Sequence, residues 1–198
     1  MGTDGFDEAA AWSRARGGDG TAFAALYDRH RDRVFGQALR LLRDPHGAED
    51  VTAMVFLEAW RKRASVRVVD GSIVAWLLVT TNNVVRNHDR SARRYRLALA
   101  KLPAPAPQDD HAPLVDDAID DRERNDRVRS ALARLSARDQ DIITLCVLEE
   151  LPLAEAASTL GIPVGTVKSR LSRAKQRLAA LAGGPITTDD TILEGGAR

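Results

Sequence analysis

The chain has 198 residues, 44% of them hydrophobic and only 5% aromatic, and a formal net charge of +1. That apolar fraction suffices for packed cores and argues against global disorder. The scarcity of aromatics beside abundant Ala and Leu favours helices over sheet. A single cysteine, Cys146, excludes an intrachain disulfide and a thiolate zinc site. The opening MGTDGFDEAA carries no secretory h-region, and no apolar stretch approaches the ~20 residues of a membrane span. The expected compartment is therefore the reducing cytoplasm.

In chain order, residues 1–20 read as an N-terminal extension ending in Gly17-Gly18-Asp19-Gly20, and Trp12 within it has no evident role. Phe23, Leu26, Tyr27, Val34, Ala38, Leu41 and Leu42 recur near 3.6 residues and predict a helix over 23–42. Asp44-Pro45-His46-Gly47 reads as a turn. A second helix follows over 48–61, with Val51, Val55, Phe56, Ala59 and Trp60 on one broad stripe. Residues 65–72 are a loop candidate, and a third helix runs from about Ser72 to Arg93-Arg94. Trp60 and Trp76 both fall on apolar stripes and are expected in the core.

Then the composition shifts. Pro103, Pro105, Pro107 and Pro113 forbid a continuous helix, and six Asp with no Lys or Arg lie between Leu102 and Asp121. This is an extended acidic linker, 98–125, between two helical domains at 21–97 and 126–181. In the second domain Val128, Leu132 and Leu135 mark one helix. Ser136-Ala137-Arg138-Asp139 resembles a capping box and starts the next, with Ile142, Leu145 and Leu148, in whose apolar run Cys146 is a small hydrophobe. Pro152 introduces a short helix, 153–160. Gly161-Ile162-Pro163 is a sharp turn, a last helix covers 164–181, and 182–198 is a polar tail expected to be disordered.

A short helix, a turn with Gly and a second, basic helix make a helix-turn-helix. Between Gly161 and Leu178 there are five Lys or Arg and no acid, unlike a solvated surface helix, which mixes signs. At 100° per residue Val167, Leu171, Ala174 and Leu178 share one face, while Lys168, Ser169, Ser172, Arg173 and Gln176 spread over the other. One side can pack while the other enters a major groove.

The stretch LSARDQDIITLCVLEELPLAEAASTLGIPVGTVKSRLSRAKQRL resembles the C-terminal domain of extracytoplasmic-function (ECF) sigma factors of RNA polymerase. FAALYDRHRDRVFGQALRLLRDPHGAEDVTAMVFLEAW and AWLLVTTNNVVRNHDRSARR resemble their N-terminal domain. The resemblance covers about residues 21–181 in the family's order. It implies an all-α protein: sigma domain 2 over 21–97, a Pro/Asp-rich linker, and sigma domain 4 over 126–181.

It also implies a division of labour. Lys168, Ser169, Ser172 and Arg173 match positions that read the promoter's −35 element, with Arg170 and Lys175 suited to flanking phosphates. Asn83, Arg86, Asn87 and Arg90 match the −10-reading helix, and Arg93, Arg94 and Arg96 extend its phosphate track. Trapping an unstacked −10 base falls to the loop 65–72, which lacks an aromatic. Glu49, Asp50 and Glu58 match the surface that docks on the clamp helices of the beta-prime subunit. The family commonly has an acid where this chain has Met54, which is expected to pack. The implied partners are core polymerase (beta-prime clamp helices and beta flap), promoter DNA and an anti-sigma factor of the kind that usually holds such proteins. The acidic linker suits either a path through the basic interior of the polymerase or a plain soluble spacer.

No cofactor, metal site, catalytic residue or small-molecule substrate is expected. His30, His46, His88 and His111 read as surface or helix-cap residues without metal spacing, and no phosphate loop or nucleophile elbow is present. Two alternatives remain: a stand-alone helix-turn-helix regulator, and a degenerate sigma-like protein that binds polymerase or an anti-sigma factor without initiating. The two domains, when free, are expected to tumble independently.

Overall fold

A computed structural model describes residues 6–99 and 119–183, with 89, 91–99 and 119–126 as backbone alone. Among these residues the architecture is helical: α1 (Glu8–Arg16), α2 (Gly20–Leu42), α3 (Pro45–Arg61), α4 (Val74–Leu99), α5 (Ile119–Arg134), α6 (Ala137–Ile143), a π-helical segment (Thr144–Leu148), α7 (Leu153–Leu160) and α8 (Val164–Ala182). The stretch 100–118, most of the predicted linker, and the tail from 184 lie outside the described residues, as do the side chains of Arg93, Arg94 and Arg96 and all of His111.

Local chemistry sets the helix starts. The carboxylates of Asp7, Asp19 and Asp44 accept backbone N–H groups of the first turns of α1, α2 and α3. Asp44-Pro45-His46-Gly47 is therefore not a turn but the beginning of α3, with Asp44 as N-cap and Pro45 inside the first turn, where its missing N–H costs nothing. Ser136 caps α6 by accepting Asp139 N at 3.2 Å, as the capping-box pattern predicts. Gly161 ends α7 in the left-handed region at φ 66°, which lets the chain reverse into α8.

The first core is built from α1, α2, α3 and α4. Leu26, Val34, Val51, Val55, Ala59, Ile73 and Leu77 are fully buried in it. Helix α1, which falls in the extension read from the sequence, is part of this core. Trp12 is 1% exposed and its ring lies 6.4 Å from that of Phe23. The second core joins α5, α6 and α8 through Ala131, Leu132, Leu135, Ile143, Ala174 and Leu178. Trp60 and Trp76 pack at core edges, half-buried, and Trp60 also carries the guanidinium of Arg63 4.5 Å above its ring. Burial pushes the Cys146 thiol up, against the opposing pull of Lys175, so it is a poor nucleophile.

His30 departs from the surface placement expected for it. It is 3% exposed, and its Nε2 lies 2.9 Å from Glu8 Oε1. The same carboxylate oxygen accepts Ser72 Oγ and Ile73 N, each at 2.8 Å, at the threshold of α4. Burial raises the Glu8 pKa, but the hydrogen bonds from His30, Ile73 and Ser72 and the His30 charge outweigh it and hold Glu8 below its ordinary 4.5. A depressed folded-state pKa adds stability above 4.5 that is lost as pH falls through the folded value. Glu8→Ala should therefore destabilise the chain by about 1–3 kcal/mol at neutral pH, the cost of stranding buried donors. Urea titrations should show the gap from the parent narrowing below pH 4.5.

Candidate nucleic-acid interface

The basic helix α8 is two-sided, as the wheel predicts. Val167, Ala174 and Leu178 are buried, while Lys168, Ser169, Ser172, Arg173 and Lys175 are exposed and Arg170 is half-buried. Arg173 Nε donates to Ser169 O at 3.2 Å, one turn earlier, which lays its guanidinium along the helix surface. Arg177, on the flank, instead binds Asp139 Oδ2 of α6 at 2.6 Å. It fastens α8 to the domain and leaves the exposed face to the residues before it.

The second basic surface starts in the loop between α3 and α4. Asp70 and Gly71 both adopt positive φ (50° and 74°), a two-residue reversal closed by the Val69–Ser72 bridge. On α4 the side chains of Asn83, Asn87 and Arg90 are exposed. A groove of about 1060 Å³ is lined by Ser65 of the loop, Trp76, Asn83 and Asn87, and Thr159 of α7. The sequence-predicted residues Asn83 and Asn87 thus share one concave surface with the loop. Trp76, expected wholly in the core, also contributes to that wall.

Asn82, one position from Asn83, is fully buried. Its amide nitrogen donates to Asp141 Oδ1 (2.9 Å) and Thr144 Oγ1 (3.2 Å), and its oxygen accepts Gln37 Nε2 (2.8 Å). Arg86 Nη1 donates to Gln140 Oε1 at 2.8 Å and lies 3.4 Å from Asp141 Oδ1. Arg33 Nε donates to Glu149 Oε2 at 3.0 Å. Arg67, in the loop, donates Nη1 to the Ser158 carbonyl of α7 at 2.7 Å. Around these bonds Val74, Ala75 and Leu78 of α4 pack on Leu145, Ala156, Ala157 and Val167. The two domains are therefore docked, contrary to the expectation that they tumble independently; these complementary polar and apolar side chains are the physical reason. Burial raises the Asp141 pKa, while the Asn82 bond and Arg86 resist that rise. The π-helical segment begins at this contact: Glu149 N bonds to Thr144 O five residues back, and the fully buried Thr144 Oγ1 accepts from Gln37 and Asn82.

On α3, Glu49 and Asp50 are exposed, and Glu58 is half-buried. The Lys62 hydrogen bond at 2.6 Å lowers the Glu58 pKa against the opposing effect of burial. Met54, expected to pack, is 44% exposed beside Leu57 at 58%. Both line the groove that also holds Trp76, Asn83 and Asn87, as does Glu58. Among the described residues no group of three or more His, Cys, Asp or Glu is placed to hold a metal ion, and no helix is long and apolar enough to cross a membrane.

Two helical domains, one ending in a helix-turn-helix with a bare basic face and one presenting a basic helix beside a groove, define a sigma factor of the Sigma-70 type. Residues 26–95 match the family model for Sigma-70 region 2, and residues 125–178 that for Sigma-70, region 4. The chain is 34% identical over 155 residues to the ECF RNA polymerase sigma factor SigK of Mycolicibacterium vanbaalenii, covering 77% of this chain and 78% of that one. It is 30% identical over 169 residues to the ECF RNA polymerase sigma factor BldN of Streptomyces coelicolor, covering 85% and 63%. Its fold is similar to that of CnrH in complex with the cytosolic domain of CnrY (24% identity, TM-score 0.56, 90% of this chain and 98% of that one). It is also similar to that of RpoE in complex with the anti-sigma factor NepR from Bartonella quintana (24% identity, TM-score 0.53, 81% and 96%). The chain belongs to the ECF RNA polymerase sigma factors, the promoter-recognition subunits that act in transcription initiation.

Proposed function

We propose that this sigma factor reads the −35 element with Lys168, Ser169, Ser172 and Arg173 of α8 while Arg170 and Lys175 hold flanking phosphates. Asn83, Arg86, Asn87 and Arg90 of α4 meet the −10 element, and Arg93 and Arg94 continue the phosphate track. The observation that carries this reading is the exposed face of α8: cationic and hydroxyl side chains stand free on one side of a helix whose other side is core. Guanidinium and ammonium groups on such a face match guanine O6 and N7 in a major groove. The groove beside Asn83, Asn87 and Trp76 has amide donors and an aromatic edge for an unstacked base.

Glu49, Asp50 and Glu58 dock α3 on the beta-prime clamp helices, and domain 4 rests on the beta flap. The exposed Met54 and Leu57 supply the apolar wall of the groove opposite Trp76 and Asn83. An anti-sigma factor is the expected regulator, since RpoE, similar in fold, is seen with the anti-sigma factor NepR. The protein works in the cytoplasm and catalyses no reaction itself. Asp50→Ala should weaken core binding about two- to fivefold in a competition assay, the range for one exposed charge, and unchanged binding would move the footing elsewhere.

Run-off transcription with sigma-free core polymerase on a pool of promoter fragments tests the whole reading. Specific transcripts sharing two upstream motifs are expected. Tight core binding without transcripts would indicate a degenerate sigma-like protein, and neither would indicate a stand-alone DNA-binding regulator.

A further inference from the structure

We infer that Arg86 is a positioning residue for base reading, acting through the side-chain amide of Asn83. It turns that amide so that the groove presents a fixed N–H donor, which selects a base with a keto oxygen over one with an exocyclic amine. This rests on the proposal that Asn83 faces the −10 strand, and it adds to any contact Arg86 makes with the strand itself.

An asparagine amide is ordinarily ambiguous, because its oxygen accepts, its nitrogen donates, and a half turn exchanges them. The partner of Asn83 removes the ambiguity. Arg86 Nη2 donates to Asn83 Oδ1, and a guanidinium has donors only and no acceptor. The end of the amide beside Arg86 must therefore be the oxygen, and the NH2 is the end left over. The two residues are i,i+3 on α4, so the bond needs nothing outside that helix. The other branch of Arg86 is occupied as well: Nη1 donates to Gln140 Oε1 at 2.8 Å. The side chain is largely covered, which restrains the guanidinium that orients the amide.

Asn83 lines the groove with Thr80, Asn87 and Trp76, whereas Arg86 does not. A base lying there meets the amide, with the guanidinium behind it. Thymine O4 and guanine O6 accept a hydrogen bond, while adenine N6 and cytosine N4 donate one. Met54, Leu57 and Trp76 give the groove apolar walls. Against such walls a donor facing a donor leaves both groups without a partner, which is the expensive outcome. Asn87, one turn on, makes no hydrogen bond among the described residues. Its amide can turn to suit either kind of base and adds no such preference.

The test uses holoenzyme reconstituted with the full chain. The probe is a promoter fragment found by run-off transcription, with the −10 non-template strand left unpaired. At each position of the −10 motif, uracil is compared with cytosine and hypoxanthine with adenine. Each pair exchanges a keto oxygen for an amine at nearly constant shape. Fluorescence anisotropy gives the ratio of affinities, keto over amine. A ratio cancels any change in how the domains pack, which acts on all fragments alike.

The unmodified protein should prefer the keto base at least about fivefold at one position, the lower end for a base contact. Arg86→Ala should bring that ratio close to unity. Arg86→Lys should keep it, because an ammonium also only donates. Asn83→Asp should reverse it, because a carboxylate only accepts. In an Asn83→Ala background, Arg86→Ala should not change the ratio further. Circular dichroism would verify folding; should Arg86→Ala fail there, Arg86→Met, which keeps the apolar stem, carries the comparison. An unchanged ratio in Arg86→Ala with equal weakening on every fragment would overturn the inference and leave Arg86 a plain strand contact. A parent protein without a keto preference at any position would overturn it too. The underlying −10 reading fails separately: Asn83→Ala would then bind every fragment as the unmodified protein does.

Discussion

Arg173→Ala should lower transcription from a cognate promoter by about 10- to 100-fold, the effect of losing one major-groove contact worth about 1–3 kcal/mol. The loss should be confined to promoters with the preferred base opposite this residue, and substitution of that base should cost the variant almost nothing further. The structure supports so local an effect. Arg173 is exposed, its single intramolecular bond runs to Ser169 O of its own helix, and its neighbour Ala174 rather than Arg173 fills the core. Stability of domain 4 should therefore hardly change. Lys175→Ala is the matched comparison, since a phosphate contact weakens binding evenly across sequences and lowers the salt dependence. A uniform loss for Arg173→Ala on every promoter would make it a second phosphate contact and leave base reading to Lys168, Ser169 and Ser172.

The face of α8 was legible because its information is local. Period, composition and the bounding Gly161 and Gly183 all lie within the same two dozen residues. Asn82 and Asn83 show where locality ends. They are identical side chains on consecutive positions, about 100° apart around the helix. One is fully buried and the other exposed only because Asp141, 59 residues onward, meets the first. The same holds for His30, whose partner Glu8 is 22 residues back. The start of α3 is a different case. Its signal was present, an Asp before Pro, but that pair begins helices as well as turns, and only the Asp44 carboxylate on His46 N and Gly47 N decides between them. The docking of the domains had no sequence signal at all, because Gln37, Asn82, Asp141 and Thr144 are ordinary surface residues until brought together.

That docking also changes what a mutation on α4 reports. Arg86→Ala removes a proposed promoter contact and, in the free chain, a contact to Gln140 and Asp141. Its effect on promoter binding therefore combines a lost DNA contact with a loosened contact between the domains. Asn83→Ala removes the Oδ1 that accepts a bond from Arg86 Nη2, so it loosens Arg86 as well as changing the groove.

Trp12→Ala should destabilise domain 2 by about 3–5 kcal/mol, the range for truncating a large buried aromatic. Such a loss is a large fraction of the total stability of a small domain. Trp12 lies outside the residues matched by the region 2 model, 26–95, yet it is 1% exposed and shares its core with Leu26, Val55 and Ile73. Its indole N–H has no hydrogen-bond partner, so part of the burial energy is offset by a stranded donor. Trp12→Phe should consequently cost far less than Trp12→Ala, because it keeps most of the apolar area and removes the unsatisfied group. All three tryptophans, Trp12, Trp60 and Trp76, precede the linker. Urea unfolding followed by tryptophan fluorescence therefore reports chiefly domain 2, with Trp60 and Trp76 still present in either variant. A shift in midpoint for Trp12→Ala several times that for Trp12→Phe is expected. Equal small shifts would mean that α1 adds little to the domain, and that the Glu8 carboxylate, rather than apolar burial, is what ties it to the threshold of α4.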